Sequence, residues 1–285
     1  MKPQFENLAT SSFLLWMNNY VGNKGVCYTN TNSLFYPSNI VFNGLYTYAS
    51  PFNQFVYDSS INGAIIPTGV YINNSFIGIG QSGLVDIDCN RGRVYFSNRV
   101  NGVISGSYAI KDFNISLVNV TEEKLLFDTK FSARTEVNEI YTGAAQDGIS
   151  FPVLFIKNAG TTQQGYAFGG LLESRTTMGV FIFADSQYLL DGIVSMLKDA
   201  TNLYVPLLSQ NEMPFNPWGG TSGISYNYTG VTALKNSNGS GMYINRVDAQ
   251  KFDYILHSRI QNLNPECYFA LVDIELLYVA YSHLR

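Results

Sequence analysis

From about residue 26 to residue 118 the apolar residues come in short runs broken by Gly, Asn and Pro, which restricts this stretch to β-structure. FVYDS (Phe55 to Ser59), GVYINNSFIGI (Gly69 to Ile79), LVDIDC (Leu84 to Cys89), RVYFS (Arg93 to Ser97) and ISGSYAIKDFNISLV (Ile104 to Val118) each read as a strand. In LVDIDC the alternation is strict. Val85, Ile87 and Cys89 fall on one face, with Asp86 and Asp88 on the other, a solvated face shared with Arg91 and Arg93. Asn90-Arg91-Gly92 supplies the hairpin turn before RVYFS, because Gly takes a positive φ at no steric cost. Short strands separated by such turns predict a small sandwich or barrel.

The flanks read differently. Phe5, Leu8, Ala9, Phe13, Trp16, Met17 and Tyr20 recur at spacings of three and four, one apolar stripe of a helix that Gly22 and Gly25 end. Residues 119–150 read as a connection, with Thr121 to Phe131 as a strand leading into a polar stretch. Phe151 to Lys157 and Thr176 to Asp185 are apolar runs of strand length. Asp185-Ser186 offers N-cap oxygens to a helix with the stripe Leu189, Leu190, Ile193, Val194 and Leu197. Gly192 inside it costs about 1 kcal/mol relative to Ala, which predicts close packing there. Residues 209–250 are rich in Gly, Asn, Pro and Ser and read as weakly structured. Lys251 to Ile260 and Glu266 to Tyr281 read as two long strands joined at Gln261 to Pro265. The expected fold is α+β and β-rich. Residues 1–120 form an N-terminal helix and a small β-sandwich or barrel, and residues 121–285 an α/β domain with a mixed sheet and one long packed helix.

Composition narrows the function classes. Charged residues are 13% of the chain, about half the usual share of roughly 25%. Aromatics are 14%. That mixture excludes intrinsic disorder and coiled coil. With a net charge of −4 and no basic cluster, the chain lacks the footprint of a phosphate-backbone binder, and DNA would pass it without sticking. Cys27, Cys89 and Cys267 stand far apart, and only His257 and His283 accompany them, so no zinc site and no disulfide framework is expected. Three free thiols suit a reducing compartment. The apolar run Phe13 to Met17 is too short for a secretory signal, and no stretch is long enough to span a membrane.

No pattern of catalytic chemistry rises above background. Gly78 to Gly83 matches G-x-G-x-x-G, but a strand follows it where the dinucleotide fingerprint requires a helix, so it reads as a turn. Gly220-Thr221-Ser222-Gly223 lacks the register and following helix of a nucleophile elbow. Asp253, Asp273 and Glu275 could converge as a carboxylate group, yet Lys251, His257 and Arg259 make a mixed solvated face an equal explanation. Tyr46, Tyr48, Trp218, Tyr226 and Tyr228 are candidates for stacking on sugars or filling a partner's pocket. The loop Ser209 to Gly223, stiffened by Pro214 and Pro217, is expected to hold Phe215 and Trp218 outward. Phe215, Trp218, Tyr226 and Tyr228 are therefore the candidate subunit interface. No catalytic, cofactor-binding or metal-binding residue is assigned.

Residues Phe151 to Asp199, with the stretches Phe168-Gly169-Gly170 and Ala184-Asp185-Ser186, resemble virion structural proteins of tailed bacteriophages. They are similar in particular to neck and tail-completion proteins of contractile-tailed phages. The resemblance covers roughly residues 150–285 and leaves residues 26–118 unmatched. It implies a ring-forming subunit between capsid and tail, built from copies of itself and touching other neck and tail proteins. Such a subunit has no catalytic residues and no cofactor, and resides in a virion assembled in the host cytoplasm. Adaptor, stopper and tail terminator remain alternatives for its place. A carbohydrate- or receptor-binding tail module is the competing reading.

Overall fold

The computed structural model describes residues 5–39, 42–119, 151–165, 171–215, 221, 226–238, 241–251 and 268–281. It is a strand-rich α+β fold with a near-barrel sheet and a mixed half-barrel sheet. The first helix, α1 (Phe5–Gly25), is buried on more than the stripe side, at Ala9, Ser12, Phe13, Leu15, Trp16, Met17, Asn18 and Val21. A helix apolar most of the way round belongs in an interior, and α1 lies where the two sheets meet. Its rings stack in a column, Phe13 to Trp16 at 5.6 Å and Trp16 to Tyr20 at 4.8 Å. The side chains of Asn18 and Asn19 reach the first sheet and its loops.

The first sheet has seven antiparallel strands: β1 (Tyr28–Pro37), β2 (Tyr46–Ala49), β3 (Gly69–Ile72), β4 (Ser75–Gly78), β5 (Leu84–Asp88), β6 (Arg93–Phe96) and β7 (Ile104–Lys111). Their order is β4-β3-β7-β1-β2-β6-β5. Three sequence expectations are corrected here. GVYINNSFIGI is a hairpin, because Asn73 and Asn74 both take positive φ (48° and 69°) and turn the chain between β3 and β4. FVYDS is no strand and holds only isolated bridges, Phe55 to Ile110 and Asp58 to Tyr226. In LVDIDC a bulge between Leu84 and Asp86 breaks the alternation. Val85 is turned out, while Asp86, Ile87, Asp88 and Cys89 are all buried.

ISGSYAIKDFNISLV also divides, since β7 ends at Lys111 and β8 (Asn114–Leu117) joins the other sheet. That second sheet runs β11-β12-β13-β10-β9-β8, with β9 (Val153–Gly165), β10 (Leu171–Ala184), β11 (Tyr204–Pro206), β12 (Gly241–Lys251) and β13 (Tyr268–Tyr281). It is mixed because β8 runs parallel to β9, all other pairs being antiparallel. Helix α2 (Gln187–Lys198) starts at Ser186, whose hydroxyl accepts the Leu189 N–H at 3.3 Å. It buries Leu190, Ile193, Val194 and Leu197 in the same core as Met178, Val180, Ile182, Val272 and Ile274. Leu189 stays 38% exposed. Among the described residues nothing lies within 4 Å of a Cβ added at Gly192, against the close packing expected there.

The stretch 209–250 is more structured than its composition suggests, holding helix α3 (Tyr228–Asn238) and all but the last residue of β12. The expected strands Thr121 to Phe131 and Lys251 to Ile260 lie outside the described residues, apart from Lys251. One continuous apolar core includes Phe13, Phe35 and Tyr108 together with Ile156, Val180 and Ile274. Because α1 packs on β8, β9 and β11, and β8 belongs to the second sheet, the two sheets exchange elements across the expected boundary near residue 120. Among the described residues no helix is long and apolar enough to cross a membrane.

Candidate functional site

Two places in the first sheet carry more than packing. The first is a fork. β1 pairs with β7 as far as Phe35 and then crosses to β2, pairing Tyr36 with Ala49 and Pro37 with Tyr48. Residues 99–103 run back into β7 on the other side, and a groove of about 570 Å³ opens between them. Tyr36, Tyr46 and Tyr48 line it opposite Arg99 and Asn101. The buried Tyr48 hydroxyl fixes the far wall by accepting the Val100 N–H at 2.9 Å and donating to its carbonyl at 3.3 Å. Arg99 is exposed and makes no ion pair with a described residue.

From this groove a row of exposed apolar side chains, interrupted by Ser105, crosses the sheet in register. Leu34 pairs with Ser105, Ser105 with Tyr71, and Tyr71 with Phe76. Phe76 and Tyr36 are each 53% exposed, and Leu34 42%. Phe76 meets Tyr71 edge-on at 5.3 Å and lies over Gly69, where a Cβ would come within 2.7 Å of its ring. Glycine at 69 therefore seats an exposed phenyl ring.

The second place is the buried junction between the first sheet, α1 and the segment ahead of α3. Asp58 accepts hydrogen bonds from Asn19 Nδ2 (2.7 Å), Ser60 N (3.0 Å), Ser60 Oγ (2.7 Å) and Tyr228 N (3.0 Å). Lys111, 7% exposed, donates to Asn18 Oδ1 at 2.8 Å and holds its ammonium 4.5 Å from the centre of the Tyr57 ring. Burial brings the Lys111 ammonium down to about 8, against smaller opposing effects of Cys89 and Asp58. Burial likewise pushes the Cys89 thiol far up. Two further bonds fasten the same segment: Ser59 N to the Tyr226 carbonyl at 2.7 Å and Cys89 N to the Thr221 carbonyl at 3.1 Å.

The four residues expected at a subunit interface separate. Phe215 is 38% exposed and bridges Thr221, while Trp218 lies outside the described residues. Tyr226 and Tyr228 are buried, at 8% and 6% exposure, in the core that holds the two sheets. Their hydroxyls have no hydrogen-bond partner among the described residues. Burial, before the nearby Asp58 and neighbouring groups, pushes both phenols far above their ordinary value. Each unpaired hydroxyl forfeits about 1–3 kcal/mol of desolvation, so Tyr226→Phe and Tyr228→Phe should each raise stability by about 1 kcal/mol in urea titrations. In the wild type, the unfolded phenols lose protons before the folded ones once pH passes about 10, so stability falls there. Both Phe variants should flatten that fall; unchanged urea midpoints would show that the hydroxyls are solvated or bonded.

Of the carboxylate candidates, Asp86, Asp88 and Glu275 are held by hydrogen-bond donors or basic groups. Asp88, buried, accepts the backbone N–H groups of Asn90 and Arg91, each at 3.1 Å, and lies 3.5 Å from the Arg91 guanidinium. Asp86 accepts the Ile87 N–H at 2.8 Å. Asp273 sits opposite Asp248 in the β12–β13 ladder, and burial first and Asp248 second raise its carboxyl above the ordinary value. Asp248 is itself paired with Arg246 at 2.6 Å, and Glu275 accepts from Asn245 and pairs with Arg175. Asp253, His257 and His283 lie outside the described residues.

Asp58 and Lys111 were not anticipated. Their only signal is a charge set inside an apolar run, in FVYDS and SYAIKDF. No family model and no curated protein sequence matches the chain.

Proposed function

We propose that the protein is a non-enzymatic structural subunit of a tailed-phage virion, in the neck between head and tail, assembling with copies of itself into a ring around the DNA path. The observation that carries this reading is the exposed row Tyr36, Leu34, Tyr71 and Phe76. Exposed apolar patches rimmed by polar residues mark interaction surfaces. Support comes also from the resemblance over Phe151 to Asp199 and from the low, acidic charge, which suits a wall that DNA slides past. Assembly takes place in the host cytoplasm, and other neck and tail proteins are the remaining partners.

Light scattering on size-exclusion fractions tests it. The wild type should associate with rising concentration, and the double variant Leu34→Ser, Phe76→Ser should remain monomeric at an unchanged melting temperature. A wild type that stays monomeric at every concentration removes the self-assembly reading. The groove favours a second reading, a carbohydrate- or receptor-binding tail module, because it joins tyrosine rings to an exposed guanidinium and an amide. Binding of a glycan that Tyr46→Ala abolishes, with no self-association, would select it.

A further inference from the structure

The contact between Lys111 and Asn18 has chemical consequences independent of any ring. The amine nitrogen lies 2.8 Å from the side-chain carbonyl oxygen of Asn18. Asn18 Nδ2 is tied to the Leu14 carbonyl at 3.0 Å, which aims the oxygen end of the amide at the amine. The Tyr57 ring lies against Nζ and limits its retreat. Both residues are 7% exposed, so water, the competing nucleophile, is largely excluded. Burial lowers the amine to about 8, which gives an appreciable neutral fraction near physiological pH. Holding the two groups in contact replaces a bimolecular encounter with an intramolecular one.

We propose that Lys111 and Asn18 condense into an internal amide bond that joins β7 of the first sheet to helix α1. The neutral amine's lone pair attacks Asn18 Cγ, forming the Nζ–Cγ bond and moving the carbonyl π pair onto Oδ1. A proton passes from Nζ to Nδ2. The oxygen pair then re-forms the carbonyl as the Cγ–Nδ2 bond breaks and ammonia leaves. Amine plus primary amide give secondary amide plus ammonia, with no change of oxidation state and no co-reactant. Until the proton moves, Nζ bears positive charge, which the carboxylate of Asp58 stabilises. The product spans 93 residues of sequence and ties the helix packed on the second sheet to the first. A covalent tie of that length restricts the unfolded chain strongly and resists mechanical separation of the sheets.

Mass spectrometry of the full chain decides it, after incubation just above the amine's value of about 8. The wild type should be lighter than its sequence mass by one ammonia, and proteolysis should release a branched peptide joining Lys111 to Asn18. Lys111→Arg and Asn18→Ala should give the full mass and linear peptides only. A wild type that melts cooperatively yet shows full mass overturns the proposal. So does a lighter chain with linear peptides alone, since ring closure of an asparagine also expels ammonia.

Discussion

Asp58→Ala is expected to cost about 3 kcal/mol or more, because it leaves several buried donors without an acceptor. The carboxylate is 4% exposed and receives four hydrogen bonds. Two of the donors, Ser60 N and Tyr228 N, are backbone groups that cannot rotate away. Each orphaned buried donor alone forfeits about 1–3 kcal/mol. Tyr228 N opens α3, so the loss also loosens the segment that carries Tyr226 against the first sheet. Asp58→Asn keeps an acceptor oxygen and should lose less. Urea titration gives the comparison, and an Ala variant within 1 kcal/mol of wild type would mean that water replaces the carboxylate at little cost.

Local rules made part of this architecture legible. The three-and-four spacing from Phe5 to Tyr20 marks α1, and Ser186 caps α2 where its position requires. Asn90-Arg91-Gly92 turns β5 into β6. What failed was non-local. Nothing in LVDIDC reveals that Val85 is bulged out, because the bulge depends on how β5 meets β6. Nothing in SYAIKDFNISLV reveals a change of sheet after Lys111, since both sheets impose the same period of two. YTGVTALKNSN has too few strong apolar residues to stand out as a helix, and Tyr228 and Thr232 are buried there by tertiary packing. The junction was least legible of all. Asp58 and Asn19 are 39 residues apart, Lys111 and Asn18 are 93 apart, and only folding makes them neighbours.

Gly92→Ala is expected to destabilise the chain by about 3 kcal/mol or more, among the larger effects of a single methyl group. Gly92 sits at φ 62°, where an L side chain already costs about 1–2 kcal/mol. The added Cβ would also lie 1.9 Å from the Phe52 carbonyl oxygen and 3.1 Å from Asn53 Cα. Neither is a side-chain end that can swing aside. The strip from Ser50 to Phe55 is pinned to the β5–β6 hairpin by Ser50 N to Gly92 O at 2.8 Å, Gln54 N to Asn90 O at 3.1 Å and Phe55 N to Cys89 O at 2.7 Å. Relieving the clash means parting those bonds and shifting Phe55, which stacks on Tyr108 at 3.9 Å in the core. Gly44 supplies the control, having φ 75° and nothing among the described residues within 4 Å of an added Cβ. Gly44→Ala should therefore show the backbone cost alone, about 1–2 kcal/mol. The difference between the two variants in urea measures how rigidly the strip is held, and equal losses at both sites would show that it yields freely.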